Sequence, residues 1–410
     1  MVNERMFYKE TDFRETPVGR IPKGWNLRRL CEIAEVDAGG NAPQGEEYFK
    51  NGKHPFIRVQ HFDGDRVYVD RWDLVNDDAI RDYRLRKFPK DAIVFPKSGA
   101  SINLEKRAML PFDSYVVGHL CVLVPNTKII DNRFLFYMMK RTRFSRNSAG
   151  TTLPYLNLEY VSRVPIPLPS LGEQQAIVKV LSVVDLAVAK TGEVIAKTER
   201  LKKGLMQTLL TRGIGHKEYK QTPIGTTPKE WRMEKIGNVC KVVTGGTPST
   251  RHPEYFGGNI KWLKSGDIKK LYIYDTEEKI TQLGVENSNA KIHPANSVAI
   301  ALSGRGQTRG RTTIIKEPMA CSQSVAIMIP SPELIPEYLH YNLSNRYLEI
   351  RNLTGHLDRS GLNLSIVSDI QIPIPSVGEQ EQIASILTTV DRKVELERDE
   401  KARLERIKRG

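Results

Sequence analysis

The stretch Ile166-Pro167-Leu168-Pro169-Ser170-Leu171-Gly172-Glu173-Gln174-Gln175-Ala176-Ile177 recurs as Ile372-Pro373-Ile374-Pro375-Ser376-Val377-Gly378-Glu379-Gln380-Glu381-Gln382-Ile383, with eight of the twelve positions identical. In each copy the alternating prolines favour extended backbone, and the serine stands three residues before a glutamate, the spacing of a capping box. The pattern predicts a strand that turns directly into a helix, twice.

Outward from this stretch the offset holds at 206 residues. Thr16-Pro17, Pro22-Lys23 and Trp25 map onto Thr222-Pro223, Pro228-Lys229 and Trp231; Gly39-Gly40 onto Gly245-Gly246; Leu156-Asn157-Leu158 onto Leu362-Asn363-Leu364; and Asp185 onto Asp391. Between these anchors, 41–150 and 248–355 share little beyond the rhythm of strands and turns. One duplicated scaffold carries two different inserts. The segment 7–15 parallels 214–221; either it closes the second helix's end or that end packs less fully.

Past each serine the apolar or small residues step alternately by four and three. The first copy places Ile177, Leu181, Val184, Val188, Thr191, Ile195 and Thr198 on one seam; the second places Ile383, Leu387, Val390, Val394, Glu397, Lys401 and Leu404 there. This is heptad spacing, so each helix needs a partner helix, and Glu397 and Lys401 are expected to weaken the second seam. A helix over 171–211 spans ~60 Å at ~1.5 Å per residue. Related by a two-fold axis, the copies would pack these helices antiparallel. The charged faces (Lys197, Arg200, Lys202, Lys203; Arg392, Lys393, Arg398) would meet solvent or a partner.

Within the inserts, strands are expected at 55–59, 92–95 and 115–124 and again at 260–263, 297–302 and 324–329, with helices at 131–148 and 336–353. The expected fold is α+β: two globular domains separated by a pair of long antiparallel coiled-coil helices, in a pseudo-two-fold duplication. The divisions are 1–170, 171–212, 213–376 and 377–410.

The loops after equivalent strands differ in chemistry. Ser303-Gly304-Arg305-Gly306-Gln307-Thr308-Arg309-Gly310-Arg311 combines glycines, which permit close backbone approach, with arginines whose paired donors suit phosphate or guanine O6 and N7. Its counterpart, from Phe95 to Asn103, offers Lys97, Ser98 and Asn103 instead. Beside the Gly-Gly loops stand Arg58, Arg251, Lys261 and Lys264. The candidate DNA-contacting set is therefore Arg58, Lys97, Ser98, Asn103, Arg251, Lys261, Lys264, Arg305, Gln307, Arg309 and Arg311. For any one of them, a solvated surface side chain with no specific contact is the commoner outcome.

Composition sets bounds on these readings. Lysine plus arginine outnumber aspartate plus glutamate by 62 to 48, a net charge of +14, which favours a polyanionic partner. No apolar run approaches the ~18 residues of a membrane span and no signal peptide opens the chain, so a cytoplasmic location away from membranes is expected. Cys31, Cys121, Cys240 and Cys321 form no Cys-x-x-Cys pair and are expected to be small buried residues, with no metal and no disulfide. There is no nucleotide-binding Gly-x-x-x-x-Gly-Lys loop, no His-Glu-x-x-His and no Asn/Asp-Pro-Pro-Tyr/Phe run, and the eight histidines are scattered singly. The chain reads as a binding protein without a cofactor, not as an enzyme.

These residues together (Thr-Pro-x-Gly-x-x-Pro-Lys-x-Trp before each insert, Ile-Pro-x-Pro-Ser-x-Gly-Glu-Gln opening each long helix, and Arg200-Leu201-Lys202-Lys203-Gly204-Leu205-Met206 within the first) make the chain resemble the specificity subunit of type I restriction-modification systems over essentially its whole length. The resemblance implies two target recognition domains, each reading half of a bipartite double-stranded DNA site, with the helices as a ruler for the bases between. It also implies docking of two methyltransferase subunits, which supply S-adenosylmethionine chemistry at adenine N6, and of a motor-nuclease subunit. It carries over no catalytic residue. Readers in successive major grooves sit ~34 Å apart or a multiple of it, a span such a helix pair can bridge. The rival readings are a two-headed nucleic-acid adaptor that works without a methyltransferase, and a nuclease or methyltransferase in its own right, which would turn over unaided.

Overall fold

The computed structural model describes residues 12–62, 66–145, 154–304, 306–354 and 361–409. The chain divides into two compact units, Met1–Leu186 and Ala187–Gly410.

In the first unit the central sheet orders its strands Ala34–Ala38, Leu120–Pro125, Ile93–Pro96 and Ala108–Met109. Side chains alternate across a strand, and here both faces are buried. Ile93, Phe95, Cys121 and Leu123 join the core that holds Phe134, Leu135 and Met139 of the helix Asn132–Arg141. Val94 and Val122 join Phe56, Ile57 and Val116 of a second sheet. Burial on both sides accounts for the unbroken apolar runs at 92–95 and 120–124. The second unit repeats the plan, with Val298, Ile300 and Met328 in the helical core and Ala299, Ala301 and Ile327 on the opposite face.

The predicted strand-to-helix passage is present twice. Pro165–Leu168 pairs antiparallel with Asn26–Arg29 and leads into a helix over Leu171–Arg212; Gln371–Ile374 pairs with Arg232–Lys235 and leads into Val377–Arg409. In these two-stranded ribbons proline's missing N–H is tolerated. The capping box is only half formed. Ser170 Oγ and Ser376 Oγ accept from Glu173 N and Glu379 N at 3.3 Å, but the carboxylates turn to the anchor tryptophans: Trp25 Nε1 donates to Glu173 at 3.1 Å and Trp231 Nε1 to Glu379 at 3.0 Å.

The next residue of each copy is a fully buried glutamine. Gln174 Nε2 donates to the carbonyls of Pro169 (3.0 Å) and Ile129 (3.2 Å), while its Oε1 accepts from Asp131 N at 2.8 Å. Gln380 does the same with Pro375, Glu333 and Ile335 at 3.0, 2.9 and 2.9 Å. Each amide thus ties the start of a long helix to the start of the domain helix beside it.

Within the second unit, the C-terminal part of the first long helix runs antiparallel to the second. Lys202 pairs with Asp391, and Arg398 with Glu199; Leu209 and Leu210 share a core with Ile383 and Leu387. Every predicted seam position on both helices is buried or half-buried, Glu397 and Lys401 included. Those two charges do not break the seam, because their heads turn along the helix to Lys393 and Glu405 while their stems stay in place.

Two expectations need correction, and a third lies partly outside the described residues. The domain helices are shorter than 131–148 and 336–353: the first ends at Arg141, where Thr142 becomes extended (ψ 124), and the second breaks at Arg346 into Pro336–Asn345 and Tyr347–Arg351. Cys31 is exposed, because a single turn, Leu30–Ile33, sends Leu30 and Ile33 inward and the residues between them outward. The hairpin Phe13–Thr16 with Gly19–Pro22 matches Tyr219–Thr222 with Gly225–Pro228, but residues 7–11 of the expected closing segment lie outside the described residues.

Replacing Gln380 with Leu should destabilise the second unit by roughly 1–3 kcal/mol for each main-chain group left without a partner, whereas Glu381→Leu on the exposed face should change little; denaturant titration of the two variants compares them directly. A second expectation concerns acid. His340 is buried beside Thr312, and burial, helped by Lys202, holds its pKa down to about 3. The unfolded histidine protonates near 6.5, so below that pH the unfolded state binds the extra proton and stability falls by about 1.4 kcal/mol per pH unit until pH approaches the folded value. His340→Gln should flatten this slope by one proton in denaturation measured between pH 7.5 and 4.5.

Candidate DNA interface

In the second unit, the strand Val298–Ala301 leads into the loop 302–311 before the chain returns as Thr312–Ile315. Gly310 N donates to Ala301 O and Ala301 N to Arg311 O, both at 2.9 Å, which closes the loop's base. Gly304 has φ +145°, and a Cβ there would meet Thr308 at 2.7 Å, so this turn requires glycine. Arg311 donates to Gln307 Oε1 at 3.0 Å, and Tyr347 Oη braces Gln307 O at 2.8 Å. A guanidinium and an amide are thereby held side by side at the surface, the pair of groups best suited to guanine and adenine edges. Arg309 is half-buried beside them; Arg305 lies outside the described residues.

Three further segments join this loop through main-chain bonds, two directly at Leu302 and one by way of the 322–324 turn. Ser322 N donates to Leu263 O, Leu302 N to Ser324 O and Leu362 N to Leu302 O, at 2.8–2.9 Å. Gly245 is pressed so close to the sheet that a Cβ would lie 1.9 Å from Cys321 O, and next to it Thr247 Oγ1 donates to Gln323 Oε1. The Gly-Gly pair is thus a packing requirement that sets its loop beside the 322–324 turn.

The first unit builds the same cluster with other side chains. Val117 N donates to Ile57 O, Lys97 N to His119 O and Leu156 N to Lys97 O, again at 2.8–2.9 Å, and a Cβ on Gly39 would lie 2.1 Å from Val116 O. On this frame Lys97 Nζ sits 4.9 Å over the Tyr155 ring, Ser98 Oγ bonds His119 Nδ1 at 2.7 Å, and Asn103 is exposed on the turn Ala100–Leu104. Lys97, Ser98 and Asn103 are therefore gathered in one unit, and Gln307, Arg309 and Arg311 in the other.

The other candidates are placed differently. Arg58 donates to Asp73 at 2.6 Å and lies against the rings of Phe49 and Phe56, each at 5.4 Å, so its charge braces a sheet edge. Lys264, its register equivalent, pairs with Glu278 and covers Trp262. Lys261 is half-buried on the strand Phe256–Leu263, and Arg251 is exposed and forms no ion pair among the described residues. Sequence reasoning overlooked His119, Tyr155, Thr247 and Gln323, which the frame brings to the cluster. The Gly39-Gly40/Gly245-Gly246 match pointed toward Thr247, but nothing marked the other three.

The site's chemistry is polar contact. Burial pushes the Cys240 and Cys321 thiols up to about 12, which keeps them protonated and inert. Among the described residues no three His, Cys, Asp or Glu side chains are placed to hold a metal ion, and no helix is long and apolar enough to cross a membrane.

Comparison with known proteins finds the same duplication. The model of the type I restriction modification DNA specificity domain matches residues 22–200 and again 228–406, offset by 206 residues at both ends. The MjaVIII type I restriction enzyme specificity subunit of Methanocaldococcus jannaschii is 26% identical over 424 residues, covering 100% of this chain and 96% of that protein. The EcoR124I/EcoR124II specificity subunit of Escherichia coli is 28% identical over 240 residues, 56% of this chain and 55% of that protein. The crystal structure of the type I restriction-modification S subunit from M. genitalium has a similar fold, with a TM-score of 0.61 over 94% of both chains at 15% identity.

Proposed function

The chain belongs to the type I restriction modification DNA specificity family, and we propose on that footing that it is the DNA-reading subunit of such an enzyme, each unit recognising one half of a bipartite double-stranded site. The loops 95–103 and 302–311, with the turns packed beside them, contact base edges. The long helices set the number of bases between the half-sites and dock two methyltransferase subunits, and a motor-nuclease subunit completes the complex. Methylation and cleavage belong to those partners; this chain supplies the address.

One observation carries the reading. The two loop clusters share their main-chain hydrogen bonds and differ in the side chains these bonds present. A frame held by backbone bonds tolerates side-chain change, so each copy can name different bases without refolding. The helices leave Val183, Leu186, Leu201, Leu396 and Ile407 each more than half exposed, apolar side chains against which partner subunits can pack.

Mapping methylated adenines in genomes with and without this gene tests the proposal. One bipartite motif should disappear with the gene; an unchanged pattern would sink it, and so would methylation or cleavage by the purified chain alone. Arg311→Ala should weaken binding to the cognate site by about 1–3 kcal/mol and relax discrimination in one half-site only. Competition binding against single-base variants of the site reads both effects.

A further inference from the structure

A groove of 810 Å³ on the first unit shares no lining residue with the recognition loops and is lined by Arg20, Arg141, Arg143 and Arg163 together with Trp25 and Tyr160. Tyr160 is 39% exposed. Arg163 pairs with Glu159, and Arg20 lies 4.9 Å over the Phe13 ring; Arg141 and Arg143 are exposed and form no ion pair among the described residues. No carboxylate or amide side chain lines the groove. It is built to attract anions, and it lacks the amide and carboxylate groups that read adenine and cytosine edges.

The second copy lacks these four charges at the matching positions, and the nearby Arg346 is held by Glu349. Thr226 stands at the register position of Arg20 and Asp369 at that of Arg163; with the helices aligned at Asn132 and Pro336, Asn345 and Tyr347 replace Arg141 and Arg143. The recognition loops show the opposite imbalance. The loop 303–311 carries Arg305, Arg309 and Arg311, whereas 95–103 carries Lys97 as its sole cation. The unit with the less basic loop is the unit with the basic groove.

The groove is also fastened to that loop. Arg107 donates to Thr142 O at 3.2 Å, Ser145 N to Glu105 at 2.8 Å, and Phe144 stacks on Phe95 at 5.0 Å. The segment that bears Arg141 and Arg143 is therefore pinned to both ends of the stretch 95–107 that contains Lys97, Ser98 and Asn103. We propose that the groove is a sequence-independent phosphate contact through which the first unit grips duplex DNA on the flank of its half-site. This rests on the chain being a reader of a bipartite DNA site, and it adds a grip that the second unit makes from within its own recognition loop.

The test compares the chain assembled with its methyltransferase subunits against Arg20→Ala/Arg141→Ala/Arg143→Ala in the same assembly, measuring the binding constant for cognate and for unrelated duplex across a range of salt. For each phosphate that the protein no longer neutralises, the slope of log K against log salt becomes shallower by about 0.9, so it should fall by about two to three for both duplexes, with their affinity ratio unchanged within roughly twofold. The triple Arg→Lys variant should keep the slope, which separates removal of charge from damage to the fold. Thr226→Ala/Asn345→Ala at the equivalent place should leave the slope unchanged. An unaltered slope in the alanine variant overturns the proposal; so does an unaltered slope accompanied by loss of methyltransferase subunits, which assigns the groove to an acidic protein surface. Failure of the wild-type assembly to prefer any duplex would instead count against the half-site reading, while the slope comparison would still report on the groove.

Discussion

Two buried glutamine amides set the geometry from which the rest of this molecule follows. A long helix that leaves a β-frame must do so at a fixed angle, or everything attached to it loses its place. Gln174 and Gln380 fix that angle by placing one acceptor and two donors on main-chain groups of the preceding strand and the neighbouring domain helix. Both side chains are fully buried, so an unmade bond costs the desolvation of its partner and departures from the geometry are steeply penalised. The tryptophan-to-glutamate bond beside each amide adds a second fixed point.

That rigidity permits the division of labour between frame and loops. The main-chain bonds joining the loop clusters are indifferent to the side chains they carry, and the glycine pairs allow the close approach the clusters need. Lys97, Ser98 and His119 in one unit and Thr247, Gln307, Arg311 and Gln323 in the other stand on equivalent supports. Each copy keeps the frame and varies the surface.

The helices follow a looser rule. A seam of modest apolar content, containing threonines, a glutamate and a lysine, still closes because Thr191 and Thr198 satisfy their hydroxyls on their own helix and the charged residues bury only their stems. Lys202, Asp391 and Tyr341 then join the two helices and the domain helix in one contact, with the Tyr341 hydroxyl donating to Asp391 at 2.8 Å.

The duplication, the strand-to-helix passages, both long helices and the seam they bury were all legible in the sequence, because they rest on local spacing: prolines two apart, a serine three before a glutamate, and apolar steps of four and three. The two loops whose chemistry differs between the copies were legible in the same way. Which charges are available depended instead on the folded arrangement. Arg58 and Lys264 look as free in the sequence as Arg311, but Asp73 and Glu278 approach them from 15 and 14 residues away. His119, Tyr155 and Gln323 carry no local signal at all and reach the cluster through sheet pairing. The fate of the capping glutamates was settled likewise, by tryptophans 148 residues distant. Periodicity reports which face of an element is buried; a hydrogen bond or ion pair depends on what the fold brings opposite, and that partner stands elsewhere in the chain.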